Sequence, residues 1–304
     1  MTVAPIMVGV DFGGTKIEAA ALDMTGAPIV RKRLPTPGDY DSALGAVRDL
    51  VRAIENETIE VDRLGIGAPG SISPKTGSLR NSNTIYLNGK PFAQDLERVL
   101  GKRVRLSNDA NCLALSEAVD GAAAGAHSVF AVILGTGCGG GLVIDGKLIH
   151  GANGIAGEWG HNPLPWPSTE ELKQAPRCWC GQQGCQETWI SGSGLQRDFF
   201  EAAGVRATGE EIVAAFRRGE PLAVAALERY IDRLARSLAA VVNLIDPDAI
   251  VLGGGMANID ELYDRLPSLI RRHVFSDAWI TRISKARWGD SSGVRGAARL
   301  WAND

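Results

Sequence analysis

IMVGVDFGGTKIEAAAL, residues 6–22, reads as two apolar strands joined at a polar, glycine-rich tip. Ile6 to Phe12 and Ile17 to Leu22 carry the residues of a buried strand, and the glycines between them set a tight turn. A second turn at Gly26 leads into Ile29 to Leu34, so the chain opens as a β-meander. From Asp41 the period changes. Leu44, Val47, Leu50, Val51 and Ile54 recur at helical spacing, and Leu64 to Ala68 is a short buried strand ending in APG. A similar order returns after Gly125, with Ser128 to Leu134, a glycine-rich turn, Gly141 to Ile144, an Asp145-Gly146 hairpin turn and Lys147 to His150. Pro221 to Ile245 follows as a long helix that tolerates Pro221 in its first turn, and Ala249 to Leu252 is a strand running into Gly253, Gly254 and Gly255. This pseudo-repeat predicts two α/β lobes with a cleft between them.

The composition narrows the class of function. A chain of 304 residues with 45% hydrophobic and 22% charged residues is ordinary for a globular protein of two domains. Its net charge of -3 argues against a large nucleic-acid footprint. No apolar run approaches the roughly 20 residues that span a bilayer, and the start lacks the basic and apolar regions of a signal peptide. Five cysteines fit a reducing, cytoplasmic compartment.

Three glycine-rich turns and one cysteine cluster carry the chemistry. In DFGGTK, Gly13 and Gly14 let backbone N–H groups approach a phosphate, Thr15 offers a hydroxyl, Lys16 a cation, and Asp11 a carboxylate of the kind that holds hydrated Mg²⁺. A tight turn and nothing more is the alternative for such a hairpin. LGTGCGGG, residues 134–141, repeats the device with Gly135, Thr136, Gly137 and Gly139. VLGGGMAN, residues 251–258, closes a strand and is expected to open a helix at Asn258 or Ile259, with Gly254 and Gly255 letting a base and ribose lie on the backbone. None of the three matches a P-loop or a dinucleotide fingerprint. GEWGH and CWCGQQGC supply His161, Cys178, Cys180 and Cys185, the ligand set of a closed tetrahedral Zn²⁺ site, whose role would be structural. A disulfide with a spare thiol, or three buried small side chains, are the competing readings.

Together DFGGTK, GAPG, NDANC, LGTGCGGG, GEWGH, CWCGQQGC and LGGGMAN resemble the ROK family (repressor, open reading frame, kinase) of sugar kinases, over about Val8 to Trp301. The resemblance implies an actin-like, ribonuclease H-like fold in each lobe, with a nucleotide and sugar cleft between them. One lobe would comprise 1–121 plus 291–304, with a final helix from Ser291 to Trp301, and the other 122–290. It implies ATP as phosphoryl donor, Mg²⁺, structural Zn²⁺, a small-molecule sugar acceptor and a homodimer, with no nucleic-acid or membrane partner. Asp109 matches the family's catalytic base, and Asn108, Glu158, His161 and Glu187 match its sugar ligands. Asn83 is a further candidate for sugar contact. Asp109 capping the following helix, and Glu158 and Glu187 as solvated surface acids, are the structural alternatives. GAPGSISPKTG, LNGKPF and GDSSGVRGAA look most like the bacterial fructokinase branch, which implies phosphorylation of D-fructose at O6. Glucokinase, mannokinase and N-acetylhexosamine kinase are the alternatives within the family. Outside kinase chemistry there are a sugar-sensing module without catalysis, an actin-like structural ATPase, and a repressor, for which the ten residues ahead of Asp11 are too few to form a DNA-binding domain.

Overall fold

The computed structural model describes residues 5–302, so the outermost residues of the expected N-terminal lobe, 1–4 and 303–304, lie outside the described residues. Strands β1 (Ile6–Phe12), β2 (Lys16–Asp23) and β3 (Pro28–Pro35) form the expected meander, with Asp11 opposite Glu18 across the first hairpin. Helix α1 (Tyr40–Glu55) starts where Asp39 accepts a hydrogen bond from the Ser42 amide, and it buries Leu44, Val47, Leu50, Val51 and Ile54. Next come β4 (Arg63–Ala68), the short pair β5 (Ser71–Ile72) and β6 (Leu79–Arg80), α2 (Phe92–Leu100), β7 (Arg103–Asn108) and α3 (Asp109–Val119). The sheet order is β3-β2-β1-β4-β7, with β1, β4 and β7 parallel. Its core joins Val8, Val10 and Phe12 to the apolar face of α1, and Phe12 meets Phe92 edge to face at 5.4 Å.

Strands β8 (Ser128–Leu134), β9 (Cys138–Ile144) and β10 (Lys147–Leu148) open the second meander. Asp145 and Gly146, at φ of 51° and 70°, form the hairpin turn. Two boundaries differ from expectation. β9 begins at Cys138 rather than Gly141, so Gly139 is a strand residue, and β10 stops short of His150. Helices α4 (Thr169–Lys173), α5 (Glu187–Ile190), α6 (Gly192–Ala203), α7 (Gly209–Arg217) and α8 (Pro221–Ile245) precede β11 (Ala249–Gly253), α9 (Glu261–Ile270) and β12 (Arg282–Lys285). The second sheet runs β10-β9-β8-β11-β12, with β8, β11 and β12 parallel. The helix expected at Asn258 or Ile259 is instead a 3₁₀ turn over Gly255–Asn258, and α9 starts at Glu261. Ile259 separates the two, because its backbone is extended, at φ -83° and ψ 100°, and no helical turn can run through it.

The chain ends in α10 (Ser292–Ala298), shorter than the expected Ser291–Trp301 because its flanks, Gly289–Ser291 and Arg299–Trp301, are 3₁₀ turns. α10 packs on β1, β4 and α3. It lies so close to β4 that a side chain at Gly65 would put its Cβ 1.8 Å from the Ala297 carbonyl oxygen. Glu117 of α3, fully buried, accepts from the amides of Ala122, Arg287 and Trp288 and from the Ser292 hydroxyl. A buried charge satisfied in this way ties α3 to the turn that precedes α10. Two compact units result. One holds Met1–Gly125, Gly141–Ala156 and Arg287–Asp304, and the other Ala126–Gly140 and Gly157–Ala286. Gly141–Ala156, expected with the second lobe, therefore packs with the first.

Candidate active site

In the first unit the parallel strands bring the singled-out residues to one edge. β1 ends at Asp11–Phe12, β4 runs into Ala68–Gly70, and β7 delivers Asn108 and Asp109, with Ala68 paired to Asn108. This is the carboxyl edge of the strands, where open α/β sheets take ligands. Asn108, not Asp109, is the N-cap of α3. Its Oδ1 accepts from the Ala110 amide at 2.8 Å, and its Nδ2 donates to the Gly70 carbonyl at 3.1 Å. Asp109 stands in the first turn, where its Oδ1 also accepts from the Ala110 amide at 2.8 Å. Burial raises the Asp109 carboxyl above the usual range, against the hydrogen bonds that stabilise its anion. Asp11 goes further. Burial first, then the charges of Asp109, Glu18 and Asp290, push it up to about 7 despite Lys16.

The first hairpin exposes Gly14 and Thr15 at its tip, closed by the Gly13 amide on the Lys16 carbonyl at 3.0 Å and by the Thr36 hydroxyl on the Gly13 carbonyl at 2.7 Å. Lys16 lies 3.4 Å from Asp290. Asn83 is exposed on the loop after β6.

In the second unit the tip of the second hairpin is Gly135, Thr136 and Gly137, closed by the Gly135 amide on the Gly137 carbonyl at 3.0 Å. Gly139 is apart from it, its carbonyl taken by the Trp159 indole N–H at 3.1 Å. Gly135, Thr136 and Gly255 line a cavity of about 680 Å³ with Ser193, Gln196 and Arg217, a volume suited to a small-molecule ligand. The α6 and α7 side chains of this cavity escaped the sequence reading, because no motif marks them. A larger cavity, about 890 Å³, is lined by Arg229, Arg233 and Arg236 beside Glu171 and Asp198, which pair with one another.

Glu187 opens α5, with Oε2 accepting from the Cys138 amide at 2.9 Å and Oε1 from the Trp179 indole N–H at 2.7 Å. A Cβ at Gly137 would stand 2.7 Å from Oε2, so glycine is what lets the hairpin come up to this carboxylate. Glu158, half-buried, precedes the 3₁₀ turn Trp159–His161.

His161, Cys178, Cys180 and Cys185 come together with all donor atoms within 4.8 Å of one another. The Gln186 amide on the Asn162 carbonyl, a bridge between Pro163 and Cys185, and turns at Gly181 and Gly184 hold them there. Sγ of Cys180 and Sγ of Cys185 are 3.6 Å apart, as are His161 Nδ1 and Cys178 Sγ. A tetrahedron of ligands about 2.3 Å from a Zn²⁺ has edges of about 3.7 Å, so the donor set fits that ion. All three thiols are free, which removes the disulfide reading. Burial and then the neighbouring thiols push Cys185 up to about 12.

Residues 7–304 match the model of the ROK family. The chain is 42% identical over 300 residues to an N-acetyl-D-glucosamine kinase of Pectobacterium atrosepticum (97% of this chain, 99% of the relative). It is 40% identical over 296 residues to that of Yersinia pseudotuberculosis serotype O:3 (96% and 97%). Among solved structures it is similar to a ROK hexokinase from Thermus thermophilus, with TM-score 0.85, 32% identity and 97% of each chain covered. A ROK family glucokinase from Streptomyces griseus, solved with glucose and AMPPNP, gives TM-score 0.82, 30% identity and coverage of 99% and 100%. The mixed α/β architecture is thus the two-lobed actin-like ATPase fold. Motifs, fold and matches over nearly the full length agree, and the chain belongs to the ROK family.

Proposed function

We propose that this chain is an ATP-dependent sugar kinase whose acceptor is N-acetyl-D-glucosamine, phosphorylated on its primary hydroxyl. The observation that carries the reading is 40–42% identity, nearly end to end, to relatives named as kinases of that sugar. D-fructose, the first choice on motif detail, has no such support, and the N-acetylhexosamine alternative takes its place.

The roles follow from the chemistry of each group. Asp109 accepts the proton of the attacking hydroxyl, and burial, which raises its affinity for a proton, makes it a stronger base than an exposed carboxylate. Asp11, crowded by Asp109, Glu18 and Asp290, is where a hydrated Mg²⁺ would relieve repulsion while neutralising charge on the phosphates. The tips at Gly13–Lys16 and Gly135–Gly137 offer amides to those phosphates, with Gly139 behind the second. Adenosine takes the 680 Å³ cavity lined by Gly255, with Gly254 setting the turn that precedes it. Glu158 and Glu187 accept from sugar hydroxyls, while His161, with one ring nitrogen given to the metal, donates its other ring N–H to a sugar oxygen; Asn108 joins them through its remaining acceptor capacity and, more peripherally, Asn83. His161 and the three cysteines would hold a structural Zn²⁺ that fixes this loop. A cytoplasmic location accords with five unpaired thiols. A homodimer rests on the family likeness and is checked by light scattering.

The test is kcat/KM for N-acetyl-D-glucosamine, glucose, mannose and fructose side by side, with Mg²⁺ and ATP. N-acetyl-D-glucosamine should lead by at least about tenfold. Fructose in front, or transfer to none of the four, sinks the proposal. In Asp109→Asn, turnover should fall by about 10² to 10⁴ with sugar binding largely kept. Turnover near that of the parent would remove Asp109 from the role.

A further inference from the structure

Trp179 stands between two of the four metal donors, Cys178 and Cys180, and the roles above leave it unused. Core packing does not explain it. Trp179 is 64% exposed, whereas Trp159 and Trp189 are 5% and 4%. Two contacts hold it in place. Its indole N–H donates to Glu187 Oε1 at 2.7 Å, and its ring meets the His161 ring edge to face, with centroids 5.0 Å apart and planes at 87°. The other Glu187 oxygen accepts from the Cys138 amide at 2.9 Å.

A carboxylate held by one oxygen still rotates about its last bond. Held by both, it presents its remaining lone pairs in one fixed plane. The Cys138 amide comes from a strand, so it is fixed by the sheet. The Trp179 N–H comes from the cysteine-rich loop, and its aim depends on that loop's shape. We propose that Trp179 is a positioning residue for the sugar site. Its N–H completes the two-point hold on Glu187, and the ordered loop thereby sets how tightly an N-acetylated or plain hexose is bound. This inference rests on Glu187 meeting the sugar.

Trp179→Phe keeps an aromatic ring on the His161 side and removes the N–H donor together with the five-membered half of the indole. For the sugar phosphorylated best in the profile above, KM should rise about three- to tenfold. Turnover and the KM for ATP should stay within about twofold, since base and nucleotide contacts are elsewhere. Zinc content should be unchanged, because all four donors remain. In a Glu187→Ala background the Phe substitution should add nothing further, as expected of two residues acting through one contact. A Trp179→Phe protein with the parent's KM overturns the proposal. So does a Phe effect of equal size in the Glu187→Ala background, which would mean that the ring meets the sugar directly. Glu187→Ala alone with an unchanged sugar KM overturns the role of Glu187 and the inference with it, and that failure is visible without touching Trp179.

Discussion

At the scale of single residues, the most informative group is Asp11. The carboxylate was legible in DFGGTK, but its environment was not. Glu18 is brought opposite it by the hairpin register, Asp109 by β7, and Asp290 by a turn near the far end of the chain. No local pattern announces such a gathering. Its consequence for stability has a definite sign. In the unfolded chain Asp11 ionises near 3.8, whereas in the folded protein it keeps its proton up to about 7. Its contribution is therefore fully present below 3.8 and is lost as pH rises to about 7. Asp11→Asn, which has no proton to lose, should be more stable than the parent at pH 8 by roughly 1–3 kcal/mol and no more stable at pH 4. Urea unfolding without Mg²⁺ at the two pH values measures this, and an equal difference at both would refute it. Adding Mg²⁺ at pH 8 should narrow the gap if Asp11 holds the hydrated ion.

At the scale of elements, the strands and long helices were legible because each carries its own period. α8 runs over the predicted Pro221–Ile245, and α1 buries the five apolar positions that suggested it. What the sequence hid were contacts between distant segments. Gly9 and Gly65 read as ordinary glycines in strands, yet a Cβ on either would strike the backbone of α10, at 2.3 Å from the Val294 oxygen and 1.8 Å from the Ala297 oxygen. Glu117 likewise reads as one more helix acid, while it gathers four donors from the chain around it. The cost of disturbing this seat is large because backbone, not a flexible side-chain end, blocks the space. Gly65→Ala should lower stability by about 3 kcal/mol or more, through overpacking that α10 relieves only by lifting off the sheet. Gly38→Ala, where nothing lies within 4 Å of the added carbon, should stay within about 0.5 kcal/mol of the parent or gain slightly. Denaturant midpoints decide it, and a Gly65→Ala midpoint equal to that of Gly38→Ala would mean α10 is not seated as described.

For the whole molecule, the pseudo-repeat was readable because each half begins with the same three strands, and the two sheets share the order third, second, first, then two parallel strands. Between β3 and β4 lies one helix, whereas between β10 and β11 lie five helices and the cysteine loop. That insertion sets the two units apart, and its loop needs an explanation that packing alone does not give. Three thiols and an imidazole within 4.8 Å, with two of the separations at 3.6 Å, match a tetrahedral Zn²⁺ site, while burial and the neighbouring thiols push Cys185 up to about 12, so that its thiolate is unfavourable without a cation. Protein purified without chelator should therefore carry about one zinc per chain by elemental analysis. Stripping the metal should expose the 161–187 loop to protease, lower Tm by a few degrees and raise the sugar KM, while ATP affinity, assigned in our proposal to the cavity at Gly135 and Gly255, holds within about twofold. Cys180→Ser tests the same point with the least damage, since Cys180 is exposed whereas Cys178 and Cys185 are buried. A metal-free preparation with the parent's Tm, protease resistance and sugar KM would mean that the loop holds its shape through the Gln186 and Pro163 contacts alone.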